Sequence, residues 1–114
     1  MLPERRKLPN RREHVTAKVV LFEGTSEERR FHMSFGVDAR AARVGDIWID
    51  GPKAGSHEQA ALHDAAAVVS VALQHGVPVA VLAAACDMPE GAPRSALAAA
   101  LKRAEAIEEE FTRQ

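Results

Sequence analysis

The sequence predicts an α+β domain: a three-stranded antiparallel meander followed by about three helices packed on one sheet face. Three observations lead there. Apolar and polar residues alternate in three runs between His14 and Asp50. After Ser56 the apolar residues recur at helical spacing instead. The chain has 114 residues, the length of one domain.

The first run is His14 to Phe22. Val15, Ala17, Val19 and Leu21 share one face, and His14, Thr16 and Lys18 the other, as in a half-buried strand. Residues 23–28 form a polar loop. In the second run Phe31, Met33, Phe35 and Val37 point inward and Arg30, His32 and Ser34 outward. A connection over 38–43 leads to the third strand, Val44 to Asp50. There Ile47 and Ile49 fall on one face, and Asp46, Trp48 and Asp50 on the other. Short connections favour an antiparallel meander with one wet face.

Helix signals follow. Ser56 with Gln59 three residues on is a capping-box pattern, in which each side chain satisfies an orphan amide. Leu62, Ala66, Val69 and Leu73 form an apolar stripe, flanked by Ala65 and Ala72. Gly76 is placed as the helix stop. Pro78 suits the first turn of a short second helix reaching about Cys86. Residues 87–93 read as a loop. Pro93 opens the last helix, whose stripe is Leu97, Leu101, Ala104, Ile107 and Phe111. Residues 1–13, polar and with two prolines, read as an extended basic arm on a single domain spanning 14–114.

Composition narrows the function. Aromatic residues are only 4% of the chain, so Ala, Val, Leu and Ile must build the core. The net charge of −1 provides no global field toward nucleic acid or membranes. One Cys excludes an internal disulfide and suits a reducing cytoplasm. The first residues lack the apolar stretch of a signal peptide, and the longest apolar run, Val77 to Cys86, is too short to span a bilayer. The expectation is a cytoplasmic protein without membrane contact.

No motif names a reaction. His57 and His63 are not four residues apart, and no set of three or four zinc ligands is visible. Cys86 closes an Ala-rich helix, where the dipole opposes a thiolate, so a structural role is favoured. Asp46 and Asp50 flank Trp48 on one strand face. Four strand residues separate them by roughly 13 Å, too far for paired-carboxylate chemistry. The favoured reading is a solvated face ending in an Asp50-Gly51 turn. Gly51-Pro52-Lys53-Ala54-Gly55 enters a capped helix, where free amides and Lys53 could hold a phosphate. Its spacing is not that of a P-loop, and a plain strand-to-helix turn is favoured. The arginines of the arm have no interleaved aromatic residues, so nucleic acid is not the expected partner.

Four runs carry a resemblance: Leu8-Pro9-Asn10-Arg11-Arg12, Gly45-Asp46-Ile47-Trp48-Ile49-Asp50-Gly51, Lys53-Ala54-Gly55, and Ala72-Leu73-Gln74-His75-Gly76-Val77-Pro78. In this order they resemble the TSCPD domain family. That is the small domain at the C-terminal end of adenosylcobalamin-dependent ribonucleotide reductases, which also occurs as a free-standing protein. The match spans about Leu8 to Val79. The family's third strand typically reads Gly-Glu-Ile-Phe-Ile, so Asp46 and Trp48 are mild variants. Reductase versions carry a Thr-Ser-Cys-Pro-Asp signature, whereas this chain reads Cys86-Asp87-Met88-Pro89.

The resemblance implies a stand-alone accessory or regulatory domain of deoxyribonucleotide synthesis. It implies no catalysis by the chain alone. The family's reaction needs a thiyl-forming Cys and further Cys pairs, and one Cys cannot supply them. No cofactor is expected on the chain, and adenosylcobalamin enters only through a partner reductase. The expected binding residues are Asn10, Arg11, Arg12, Asp46, Trp48, Lys53 and Gly55. Arg11 and Arg12 would pair with carboxylates such as Asp46, Asp50 or those of the last helix. The alternative is an independent small-ligand or nucleotide-binding protein that shares only the fold. A weaker third is a nucleic-acid-binding protein using the arm. Self-association is also expected, because a sheet covered on one side leaves Trp48, Phe22 and a strand edge uncovered.

Overall fold

Strands β1 (Glu13–Leu21), β2 (Arg29–Asp38) and β3 (Arg43–Asp50) form one antiparallel sheet in the order β1-β2-β3. Three α-helices follow: α1 (His57–Gln74), α2 (Val79–Ala84) and α3 (Ala96–Thr112). A single 3-10 turn, Pro89–Gly91, precedes the last. This computed structural model describes residues 4–5, 13–53 and 55–113. The architecture is the expected α+β meander with helices after it.

The alternation works as read. Phe31, Met33, Phe35 and Val37 of β2 are buried, as are Ile47 and Ile49 of β3. They pack with Ala66, Val69 and Leu73 of α1 and with Ala100, Leu101, Ala104 and Ile107 of α3. Many of the α3 residues are alanines, which let the helix lie close to the sheet. Val15, Ala17 and Val19 of β1 are only partly buried, because α1 and α3 stand over β3 and β2.

β3 departs from simple alternation at one point. Gly36 pairs with Asp46, but Val37 pairs with Val44, so Gly45 is a one-residue bulge. The extra residue turns Val44 inward, where it is buried beside Val37.

The other free edge of the sheet, that of β3, is covered by α1. Ser70 Oγ accepts from Ile47 N at 2.9 Å, and its proton is shared between the carbonyls of Ala66 at 2.8 Å and Ile47 at 3.2 Å. Gln74 Nε2 donates to Gly45 O at 2.9 Å, and Gly51 N donates to Gln59 Oε1 at 2.7 Å. From α3, Glu108 Oε2 accepts from Val44 N at 2.8 Å. Gln59, Ser70 and Gln74 are the buried polar residues of the domain among those described. With Ala66 they lie on one helical face, and Ala66 has no exposed surface. An alanine there lets the helix axis approach the strand. Gly51 serves the same seam: a Cβ on it would lie 3.2 Å from both Gln59 Oε1 and Leu62 Cδ1.

Several boundaries differ from the sequence reading. β1 ends at Leu21 because Phe22 turns left-handed at φ 54°, and its carbonyl accepts from Thr25. The capping box of α1 is half formed. Ser56 Oγ accepts from Gln59 N, but the Gln59 side chain turns away to the strand edge. Gly76, at φ +93°, ends α1 as expected, with Gly76 N on Leu73 O and Val77 N on Ala72 O, a Schellman closure. Pro78 is the residue before α2 and not part of its first turn, and α2 stops at Ala84. α3 begins after Ser95, whose hydroxyl accepts from Ala98 N, so Pro93 lies outside it. Most of the basic arm, including Asn10, Arg11 and Arg12, lies outside the described residues.

Ser70→Ala removes the hydroxyl that serves Ile47 and leaves a buried amide without its acceptor. It should cost about 1–3 kcal/mol in denaturant melts. Lys18→Ala, on the exposed face of β1, should cost less than about 0.5 kcal/mol. Equal costs would show that the helix does not hold the strand edge through Ser70.

Candidate functional site

One face of the sheet carries no helix among the described residues, and the register arranges its side chains in rows. One row is His14, Gly36 and Asp46; the next is Thr16, Ser34 and Trp48; the third is Lys18, His32 and Asp50. Because α1 sits at the β3 edge, it rises beside this face as a wall. The angle between wall and face is a cleft of about 410 Å³. Its floor includes Gly36, Ser34 and Ile47, and its wall includes Ala67, Val71 and Gln74. Trp48 closes one side, and Arg5, His14 and Asp46 also line it. The volume falls within the range of small-molecule sites.

Trp48 is the large aromatic of the site and is 43% exposed. Its ring is not loose. It stacks on the His63 imidazole with centroids 4.1 Å apart at an interplanar angle of 26°. Its Nε1 donates to Asp50 Oδ2 at 3.1 Å. Asp50 Oδ1 also accepts from Gln59 Nε2 at 2.9 Å and lies 3.0 Å from His63 Nε2. The sequence reading of Asp50 as a solvated carboxylate at a turn misses its partners, although its side chain stays about half exposed. Asp50 is the clasp between β3 and α1, and it sets the angle of the indole. The hydrogen bond from His63 is the largest influence pulling the Asp50 carboxyl below the usual range. Burial opposes this, and the Trp48 bond, the His63 charge and the Gln59 bond add to it.

At the other end Gln74 is fully engaged. Its Nε2 reaches Asp46 Oδ1 at 3.0 Å as well as Gly45 O, and its Oε1 accepts from Arg5 Nε at 2.7 Å. Ser70 also lines the cleft but spends its hydroxyl on backbone groups. The α1 wall is thus chemically apolar toward the cleft, with Ala67 and Val71 facing it.

Of the binding residues expected from sequence, Asp46 and Trp48 are brought together here. Lys53 and Gly55 lie in the turn entering α1 and line no part of the cleft. The Lys53 carbonyl accepts from Ser56 Oγ at 2.7 Å, so this segment serves as a turn. Arg5, His14, Ser34 and Val71 were not singled out by sequence. The cross-strand rows would have pointed to His14 and Ser34, since both stand in register with the Asp46 and Trp48 positions. Cys86 is partly buried and directs its thiol to Leu82 O at 3.7 Å, away from the site's residues. Among the described residues no group of three metal-ligating side chains forms, and no helix is long and apolar enough to cross a membrane.

The fold and cleft define an α+β domain with a sheet face walled on one side by α1. Comparison with family models, curated proteins and solved structures finds no match.

A lowered carboxyl in the folded state stabilises above its unfolded pKa and loses that contribution as pH falls through the folded one. Urea midpoints should therefore fall as the pH drops below about 4. In Asp50→Asn the same fall should be shallower, and the protein should be less stable at neutral pH. Parallel curves for the two proteins would remove Asp50 from this role.

Proposed function

We propose that this chain is an accessory binding domain of deoxyribonucleotide synthesis, related to the C-terminal region of adenosylcobalamin-dependent ribonucleotide reductases. It acts without a catalytic centre of its own: it takes a small molecule in the cleft and sits on a reductase. One observation carries the reading. The two runs on which the resemblance chiefly rests, 45–51 and 72–78, meet across the β3–α1 seam and supply the cleft lining. Asp46, Ile47 and Trp48 come from the first and Gln74 from the second. A motif whose two halves are separated by a turn and most of α1 thus serves one place in space.

The chemistry agrees with an accessory role. Cys86 is a lone thiol, whereas radical reduction of a ribose needs several. A cobalamin is several times larger than a cleft of about 410 Å³, so this reading assigns that cofactor to the partner. The alternative, an independent small-ligand protein sharing only the fold, draws on the same cleft. Self-association through the β1 edge, which pairs only with β2 among the described residues, belongs to the same proposal.

The pure chain should form no deoxynucleotide, with or without adenosylcobalamin. Mixed with a purified adenosylcobalamin-dependent reductase lacking its C-terminal domain, it should co-sediment as a complex. The same runs, made on the chain alone, show whether it exceeds 12.3 kDa. Deoxynucleotide formation by the pure chain would overturn the non-catalytic reading. Absence of a complex at micromolar concentration would overturn the accessory reading.

A further inference from the structure

The unspent polar groups of the cleft define what it can hold. Ser70 and Gln74 are used internally. The side chains of His14 and Ser34 make no hydrogen bond among the described residues, and Arg5 uses only Nε, leaving both terminal nitrogens of its guanidinium. These groups suit a ligand rich in acceptors. A guanidinium with two unused terminal nitrogens matches two oxygens of one anion. On the other side the exposed part of Trp48 is a flat apolar surface, held in place by His63 and Asp50. A ring stacked on it meets an aromatic already ordered, so little side-chain entropy is lost on binding. Ala67 and Val71 offer no polar group to compete.

We infer that the cleft binds a nucleoside monophosphate, with the base against Trp48 and the phosphate toward Arg5 and His14. This inference rests on the reading of the cleft as the domain's binding site. The number of phosphates follows from charge. Among the described residues the lining holds one permanent cation, Arg5, and one carboxylate, Asp46, which is already engaged by Gln74 and others. One phosphate finds a partner in Arg5. Further phosphates bring charge that no other fixed cation among the described lining residues offsets. A nucleoside without phosphate keeps the stacking and loses the anion contact. Base stacking on an aromatic side chain tolerates any base, because every base has a π-face.

Trp48 is the sole tryptophan, so its emission reports on the cleft directly. The full chain is titrated with AMP, UMP, adenosine, ATP and inorganic phosphate, with calorimetry alongside. AMP and UMP should give a saturable change in emission. Adenosine and ATP should bind more weakly than AMP, adenosine by about tenfold, the size of one lost charge-assisted contact. Arg5→Ala should bring AMP down to the level of adenosine and leave adenosine unchanged. Val71→Glu, at an exposed position of the wall, should abolish both while its thermal melt shows a folded protein. Ala67→Glu, one turn back on the same wall, is the second block if Val71→Glu does not fold.

The inference is overturned by no saturable response to any nucleotide. It is equally overturned by AMP binding that survives both wall variants, or by ATP binding tighter than AMP. The two proposals fail separately. A reductase complex without a nucleotide response removes the cleft ligand alone. A nucleotide response without a complex removes the accessory role alone.

Discussion

The structure depends on how one strand edge is closed. A three-stranded sheet has two edges, and each presents backbone groups that must find partners or attract another chain. At β3 those partners come from side chains of α1: Gln59 for Gly51 N, Ser70 for Ile47 N and O, and Gln74 for Gly45 O. The helix is therefore fixed in both height and rotation along the strand. Apolar packing alone would allow some sliding, because contacts between aliphatic side chains have no preferred direction. Three buried polar groups, each aimed at one backbone atom, do not. Ala66 and Gly51 supply the close approach that makes these bonds reach.

The placement of the cleft follows from the same seam. A helix centred on the buried face would leave the opposite face flat. A helix held at the edge also borders the open face, and the angle between them becomes a concavity. The Asp50 clasp then orders the indole inside it through His63, Gln59 and Trp48. Structural and candidate functional residues are thus interleaved on one strand: Ile47 and Ile49 hold the core while Asp46, Trp48 and Asp50 build the site. This explains how a chain with a single tryptophan, placed on the open face of its sheet, still holds that side chain in a defined orientation.

Much of the architecture was legible because two periods dominate the chain. Alternation placed the inward residues of all three strands except Val44, which the bulge turns inward. Helical spacing placed Leu62, Ala66, Val69 and Leu73 on one stripe, and Gly76 at its end. What was not legible was the second stripe of α1. Gln59, Ser70 and Gln74 look like ordinary solvated polar positions, since nothing local shows that a strand edge lies opposite them. The half-formed capping box has the same cause: a backbone amide at Gly51 competes for the Gln59 side chain and wins it. The role of Asp50 was missed for a related reason. Beside Gly51 it has the look of a turn residue, and two of its three partners lie 9 and 13 positions later. The bulge at Gly45 was hidden because strict alternation puts Val44 on the face of Asp46 and Trp48, and only the extra residue brings it round to the side of Ile47.

By itself the sequence determined the element order, the inward face of each strand, the position of the α1 stop and the presence of one free thiol. Those features rest on nearest-neighbour chemistry: alternation, helical period, a glycine able to turn left-handed, and a residue count. Only the tertiary structure decided that α1 closes the β3 edge, that Trp48 stacks on His63, and that Arg5, His14 and Ser34 share a cleft with Asp46. Each of these joins residues far apart in the chain, through bonds whose geometry exists only once strand register and helix rotation are set. A hydrogen bond is directional within tens of degrees, and periodicity carries no such information across a turn.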